Sequence, residues 1–196
     1  EMKHVEFSIP AIRAMQGGLA YYTAMCPIPL LARLFPIGID NAASVGQQPF
    51  RKANKARVRE IAKEIVDRSG AFHIAPVTIS IEHAVRFVAP KQSSSKQPDL
   101  GELFIPLEAR LTIIDGLHRI YGLHRALADC PELAADSIAM VIHVDPDALR
   151  RGALYSDLKR FERSTAQSLR IGMDERDEIA KLTREVISAV PVFTNA

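Results

Sequence analysis

The chain has few of the residues that mark specialised classes of protein. Its two cysteines, Cys26 and Cys130, stand alone and lack the spacing of metal ligands. No apolar run approaches the length of a membrane span, and no signal-peptide pattern precedes the first charged residues. We therefore expect reduced structural thiols, no membrane contact and a cytoplasmic location.

Excess charge of either sign is nearly absent as well. The 25 basic and 23 acidic residues leave a formal net charge of +2, so any nucleic-acid surface must be a local one. The G-x-x-x-x-G-K-S/T pattern of P-loop enzymes does not occur, and neither do internal repeats or sustained heptads. The 196 residues are 47% hydrophobic and 24% charged, which is typical of a globular domain.

One stretch carries most of the information, residues 111–127, L-T-I-I-D-G-L-H-R-I-Y-G-L-H-R-A-L. Its first four residues form an apolar, β-branched run that predicts a buried strand. Asp115 and Gly116 interrupt this run, and apolar residues then recur at helical spacing. The stretch therefore predicts a strand, a tight turn and a helix, with Asp, His and Arg crowded at the helix start.

The start of this predicted helix is a candidate phosphate or nucleotide site. The first N–H groups of a helix lack internal partners, and the helix dipole is positive there. Gly116 permits close approach and Leu117 contributes its backbone, while His118 and Arg119 add donors and positive charge. The alternative is that Asp115 simply caps the helix. Two Arg and two His within eight residues favour a binding site.

Metal binding and catalysis are weaker possibilities at the same turn. Asp115 and His118 would supply two metal ligands, but no third is spaced to join them. Asp115 alone can hold the Mg²⁺ of a nucleoside triphosphate, because magnesium keeps several waters. Asp115 and His118 would be catalytic only in a nucleotide hydrolase.

Two clusters of cations are candidate DNA-binding surfaces. The first, Lys52, Lys55, Arg57 and Arg59, lies around the start of a predicted helix, and such cations can clamp phosphates. The alternative is a solvated helix face screened by neighbouring glutamates. The second, Arg160 and Arg163, stands among hydroxyl and amide side chains that suit backbone contacts but also suit a polar loop.

The stretch D-G-L-H-R at residues 115–119, followed by I-Y-G-L, resembles the signature of the DGQHR-domain family, which includes proteins of the DndB type. Four further stretches agree with the family in the same order. They are F-S-I-P-A-I-R-A-M-Q-G-G (7–18), Y-Y-T-A-M-C-P (21–27), N-K-A-R-V-R-E-I-A (54–62) and S-L-R-I-G-M-D-E-R-D-E-I-A (168–180). The family's Gln is Leu117 here, so any role of that amide is lost while backbone donation from the turn would survive.

The resemblance implies a ParB/sulfiredoxin-like fold, whose members place a Gly-x-x-Arg turn against a nucleotide phosphate. It also implies a DNA-associated accessory or regulatory protein, linked to phosphorothioate modification, with DNA and other DNA-modification proteins as partners. The basic Asn-Lys-x-Arg stretch recurs in the family, which favours a functional role for the first cluster. A metal-dependent nucleotide hydrolase using a nucleoside triphosphate with Mg²⁺, and a purely structural protein-binding module, remain alternatives. A homo-oligomer is left open.

The residues themselves predict a mixed α/β (α+β) core over 1–145 and a helical segment over 146–196, which we expect to be truncated. Gly122 interrupts the predicted helix at a cost of roughly 1 kcal/mol, so we expect a backbone or a ligand to pack closely there. The predicted elements are strands at 5–12 and 19–26 around a turn, helices at 27–34 and 54–69, a hairpin of strands 77–81 and 85–88, an extended segment at 103–107, a strand at 138–144, and helices at 146–161 and 174–190.

Overall fold

The computed structural model of the chain describes residues 5–36, 53–68, 70–90 and 99–145, with 154, 156–158, 181–182 and 185. The chain divides into two units, Glu1–Tyr155 and Ser156–Ala196. Most of the two predicted C-terminal helices lies outside the described residues, although the described positions within them are helical. Lys52, Arg160 and Arg163 also lie outside the described residues. The predicted boundary after residue 145 therefore stays a prediction.

Seven strands and three α-helices make up the described part of the first unit. The strands are β1 (Glu6–Gln16), β2 (Leu19–Pro27), β3 (Val77–Ile81), β4 (Arg86–Val88), β5 (Asp99–Pro106), β6 (Leu111–Asp115) and β7 (Ser137–Val144). The helices are α1 (Ile28–Leu34), α2 (Lys55–Asp67) and α3 (Leu117–Asp129), and a short 3₁₀ helix follows over Pro131–Ala135. The mixed α+β class that the sequence predicts is confirmed.

The strands form one mixed sheet in the order β4-β5-β1-β2-β7-β3-β6. The last strand, β7, lies in the interior of the sheet and pairs with β2 on one side and β3 on the other. Tyr22 faces Ile142 across the antiparallel β2–β7 pair, and Ile79 faces the same Ile142 across the parallel β3–β7 pair. β7 therefore joins the first half of the sheet to the second.

Alternation along the strands gives the sheet one buried face. Ile9 and Ala11 of β1 are buried there, together with Met140 and Ile142 of β7, as expected for period-two side chains. The same core cluster contains residues of all three helices, among them Leu31, Ala62, Ile65, Ile120 and Leu123. The described helices thus cover one face of the sheet, which we call the helix-covered face.

The β1–β2 hairpin is confirmed. Gly17 and Gly18 connect the strands with φ angles of 57° and 79°, and a two-residue turn with two positive φ values matches the twist of the flanking strands. The pairing continues from Gln16 opposite Leu19 to Ala11 opposite Ala24.

The predicted hairpin of strands 77–81 and 85–88 is wrong in its pairing. Both strands exist, but β4 pairs with β5 and β3 lies between β7 and β6. Since both edges of β3 are occupied, it offers no backbone groups to β4. Val77, Ile79 and Ile81 of β3 are all fully buried, as befits an interior strand.

The predicted strand at 111–114 is present as β6, but at the edge of the sheet and not in its interior. Ile114 is its single buried residue, and Leu111 and Ile113 are half-buried. An apolar run alone does not distinguish an edge strand from an interior one. The edge position leaves the end of β6, and the turn that follows, accessible.

Helix α2 packs closely on α3 at Gly122. Gly122 is buried, and a Cβ placed on it would lie 2.5 Å from Cγ2 of Ile61. The expected close packing is therefore confirmed, but its nearest partner is the Ile61 side chain, with the backbone N of Ala62 3.6 Å away. Near the helix starts, Asn54 contacts His118. Because Asn54 and His118 meet at the starts and Ile61 and Gly122 meet further along, the two helices run in the same direction.

We expect Gly122→Ala to destabilise the fold. The added methyl must displace Ile61, which costs about 1–3 kcal/mol and outweighs the roughly 1 kcal/mol of helix propensity that alanine gains. Ile61→Ala opens space, so the double variant should be more stable than the sum of the single variants predicts. Urea denaturation of the four proteins measures the coupling, and additive effects would contradict this packing. Gly122→Leu should disrupt the helix pair altogether.

Candidate functional site

The turn between β6 and α3 depends on glycine. Gly116 precedes α3 with a left-handed φ of 95°, a conformation that other residues adopt at a cost of roughly 1–2 kcal/mol. A Cβ at this position would lie 2.6 Å from Cγ1 of Val77 and 3.1 Å from an Nη atom of Arg119. Gly116 itself occupies the cap position, so the alternative in which Asp115 is the N-cap residue is wrong.

Asp115 and Arg119 fasten this turn to the sheet. The Nη2 group of Arg119 donates to Oδ2 of Asp115 at 2.6 Å and to the carbonyl oxygen of Pro76 at 2.9 Å. The side chains are 26% and 32% exposed for Arg119 and Asp115, so the pair is partly shielded from water. Arg119 thereby links the first turn of α3 to the end of β6 and to the residue before β3.

The same geometry limits how Arg119 can bind a phosphate. Its Nη2 is engaged, and its Nε is buried with no hydrogen-bond partner among the described residues. The remaining Nη1 can donate to an anion at the turn. The predicted role of Arg119 as a principal phosphate ligand stays a prediction, and its described contacts are those of a positioning residue.

His118 connects the starts of the two parallel helices. The backbone N–H of Asn54 donates to Nε2 of His118 at 3.0 Å, so Nε2 is unprotonated and a neutral ring carries its proton on Nδ1. The Asn54 side chain caps α2 by accepting from the N–H groups of Ala56 and Arg57, at 2.9 and 3.3 Å. Asn54 is thus both the cap of α2 and its link to α3.

The hydrogen bond between Asn54 and His118 brings two groups of predicted site residues together. The starts of α2 and α3 lie side by side, so the positive ends of two helix dipoles act on the same region. The structure brings together the turn residues Gly116 to Arg119 and the start of the basic helix, which lie far apart in the sequence. Sequence reasoning missed the roles of the Asn54 N–H and the Pro76 carbonyl, because backbone groups leave no residue-type signal.

The cations of α2 fall into two classes. Arg57 pairs with Glu60 at 2.8 Å and Lys63 pairs with Asp67, as the solvated-face alternative predicts. Lys55 and Arg59 are exposed and have no ion-pair partner within the described ranges. They lie one helical turn apart on the same side of α2. These two cations are the ones available to an external anion.

Asp115 and His118 already form hydrogen bonds within the protein, and a metal ion or a substrate would compete with these contacts. Asp115 accepts from Arg119, and Nε2 of His118 accepts from Asn54. No group of three or more His, Cys, Asp or Glu side chains suited to a metal occurs in the part of the chain that the structure describes. Binding of Mg²⁺ through Asp115 stays a prediction, and the carboxylate would have to share its charge with Arg119.

Both cysteines are unpaired thiols, and neither is activated. Burial raises the pKa of Cys26 to about 11, and the residue has no exposed surface. A hydrogen bond from the Cys130 thiol to Glu132, at 3.2 Å, raises the pKa of Cys130 above its ordinary value. A reactive cysteine needs an accessible thiol with a lowered pKa, so neither environment favours a nucleophile.

The chain belongs to the DndB family, described as DNA-sulfur modification-associated, because the family model matches residues 9–196. No curated protein and no solved structure is significantly similar to it. The family resemblance seen in the sequence is therefore confirmed, and with it an involvement in DNA sulfur modification. The ParB/sulfiredoxin-like topology stays a prediction. Among the described residues, no helix is long and apolar enough to cross a membrane.

We expect Arg119→Ala to destabilise the fold by about 1–3 kcal/mol, because Asp115 and the Pro76 carbonyl lose a charged donor. Arg119→Lys should lie between the parent and Arg119→Ala, since one ammonium cannot reproduce the planar donor set. Arg125→Ala is the matched control, because Arg125 is an exposed residue of the same helix. Urea denaturation midpoints measure the effect. Equal midpoints for Arg119→Ala and Arg125→Ala would show that the turn does not depend on Arg119.

We expect Cys130 to react slowly with iodoacetamide at pH 8 and faster as the pH rises. Its raised pKa leaves less thiolate at a given pH than an ordinary cysteine has, and the thiolate is the reactive form. Glu132→Gln removes the negative charge and should lower the pKa of Cys130, which increases the rate at pH 8. Mass spectrometry of labelled peptides follows each cysteine separately. An unchanged rate in Glu132→Gln would show that Glu132 does not control the thiol.

Proposed function

Since the chain belongs to a family associated with DNA sulfur modification, we propose that it is an accessory or regulatory protein that binds the phosphate backbone of DNA. The proposed contact is the surface where α2 and α3 begin, which we call the helix-start surface. It comprises Lys55, Arg59, the Gly116–Leu117 backbone, His118 and Arg119. The observation that carries the proposal is the bond from Asn54 to His118, because it places both helix starts together.

The electrostatics of the helix-start surface suit phosphate groups. Two helix dipoles present their positive ends, and Lys55 and Arg59 add two cations without described partners. A phosphate backbone presents repeated anions to such a surface, and each neutralised phosphate releases counterions. This combination favours DNA over a single small anion.

The contacts proposed here position DNA and do not read its sequence. Base recognition relies on Asn, Gln, Arg or apolar side chains that reach base edges in a groove. The first two turns of α2 contain basic and aliphatic residues and Glu60, but no Asn, Gln or aromatic residue, so its arginines are the polar side chains there that could read a base. Backbone contacts fix the orientation of a protein on DNA without distinguishing sequences. We therefore expect binding of similar strength to different duplexes.

The thiol environments support a binding role over a sulfur-carrying one. A protein that carries sulfur on cysteine needs an accessible thiolate. Cys26 is fully buried, and a hydrogen bond to Glu132 raises the pKa of Cys130 above its ordinary value. The chain thus fits a role beside the sulfur chemistry, acting on DNA and on other DNA-modification proteins in the cytoplasm.

The second candidate is a nucleotide hydrolase that uses the same surface. A nucleoside triphosphate suits two adjacent helix starts as a source of phosphate, with Mg²⁺ held through Asp115 and His118 acting on water. That mechanism requires Asp115 to share its charge between Arg119 and Mg²⁺, and His118 to act on water although its Nε2 accepts from Asn54. DNA binding needs neither change, so it is the first proposal.

We expect the double variant Lys55→Ala, Arg59→Ala to bind duplex DNA more weakly on every sequence. Each lost phosphate contact removes about 0.9 from the slope of log K against log salt, so the slope should fall by about 2. Fluorescence anisotropy with two unrelated duplexes, over a range of salt concentrations, measures both quantities.

Lys63→Ala with Arg68→Ala is the matched control for this double variant. It removes the same charge from α2 and its C-cap, but these cations pair with Asp67 and Glu64. If both double variants weaken binding equally, total charge governs binding and the helix-start surface does not. Thermal melting of the parent with duplex DNA, or with ATP or CTP and Mg²⁺, distinguishes the candidates. Stabilisation by nucleotide alone would favour the hydrolase, and stabilisation by neither would contradict both.

A further inference from the structure

The face of the sheet opposite the helices exposes large apolar side chains on four neighbouring strands. Ile12, Met25, Val88 and Leu100 are 45%, 58%, 47% and 64% exposed. Each alternates with a residue that points to the helix-covered face, such as Ala11 beside Ile12. We call the surface formed by Ile12, Met25, Val88 and Leu100 the open face.

The strand register places these apolar side chains on adjoining strands, and Val88 lies opposite Glu102 of β5. Ile12 lies opposite Leu100 on one side and opposite Thr23 on the other, while Met25 lies opposite Ala139. Smaller side chains therefore separate the large ones and leave spaces between them. A solvated antiparallel sheet normally presents polar side chains to water. Contiguous exposed apolar surface marks an interaction site in a soluble protein.

The charges around the open face have partners within the chain. Arg86 donates to Glu6 at 2.6 Å, and its guanidinium lies 3.7 Å from the centre of the Phe104 ring. The Ser8 hydroxyl donates to Glu102 at 3.1 Å. Arg86 is the cation that β4, β5, β1 and β2 place on this side, so the open face does not suit DNA. It suits an apolar protein surface.

Size and charge together indicate a second copy of this chain as the partner. The strands β1, β2, β5 and β4 have 11, 9, 8 and 3 residues. At about 3.3 Å per residue and about 4.8 Å between strands, this side of them covers roughly 500 Å². Two copies then bury roughly 1,000 Å², which reaches the lower limit for a specific interface. In a two-fold dimer each residue meets the same surface of its partner. Like charges would oppose one another, but on this side of the four strands Arg86 and Glu6 are paired, and Glu102, which accepts from Ser8, is the one carboxylate outside an ion pair.

We propose that the open face of the sheet binds the open face of a second copy of this chain. The two sheets would pack face to face about 10 Å apart. The large side chains of one copy would enter the spaces beside Thr23 and Ala139 of the other.

Analytical ultracentrifugation of the full chain over a range of concentrations tests the proposal. The parent should show a concentration-dependent dimer. Met25→Glu should raise the dimer Kd by at least about tenfold, because it places a carboxylate in the apolar contact. Met15→Glu is the matched control, since Met15 is 64% exposed in the same hairpin but on the other face of the sheet. This variant should dimerise like the parent.

Thr23→Lys provides a second disruption if Met25→Glu does not fold, as judged by circular dichroism. The proposal is overturned if the parent is monomeric at all concentrations, or if the two methionine variants behave alike. It is also overturned if the parent dimerises and neither Met25→Glu nor Thr23→Lys weakens the dimer. A monomeric parent whose binding to another DNA-modification protein is lost in Met25→Glu would assign the face to that protein instead.

Discussion

The close packing of α2 on α3 is the constraint on which the candidate site depends. It requires a buried residue without a side chain at position 122, because Ile61 occupies the space that a Cβ would take. Two parallel helices place like dipole ends side by side, which is unfavourable by itself. Hydrophobic burial along the helices, with Ala62, Ile65 and Leu123 in the common core, offsets this repulsion. The result is a region of positive potential held in place by packing.

The contacts of Asp115, Gly116, His118 and Arg119 explain the residues of the D-G-L-H-R motif. Asp115 orients Arg119, Gly116 supplies a left-handed turn beneath Val77, and His118 holds the start of α2. Each of these three functions needs its particular residue type. Leu117 is the position where this chain differs from the family pattern, and no described hydrogen bond depends on its side chain.

Local patterns predicted local structure well. The helix that starts at Asn54, the glycine turn of the β1–β2 hairpin and the crowded start of α3 all depend on residues close in sequence. The sequence also predicted the tight packing at Gly122, because glycine destabilises a helix interior and its presence there indicates a close neighbour. The candidate phosphate-binding turn was found in the same way.

Contacts between distant segments were beyond the reach of the sequence. Nothing in the residues near β3 indicates that β6 and β7 would take its two edges, and so the hairpin with β4 was wrongly predicted. The bond between Asn54 and His118 joins positions in two separate helices, and its donor is a backbone group common to nearly every residue. The edge position of β6 depends on which strands pair with it, and the apolar content of β6 itself does not determine that.

The interior position of β7 has a consequence for how the chain folds. β4, β5, β1 and β2 form one set of neighbours, and β3 and β6 form another, but only β7 connects the two sets. During synthesis the six other strands emerge first, and each set ends in an unpaired edge until β7 arrives. Closing the long loop between Tyr22 and its partner Ile142 is entropically costly and slows folding. Until that loop closes, the edges of β2 and β3 are open to pairing with other nascent chains.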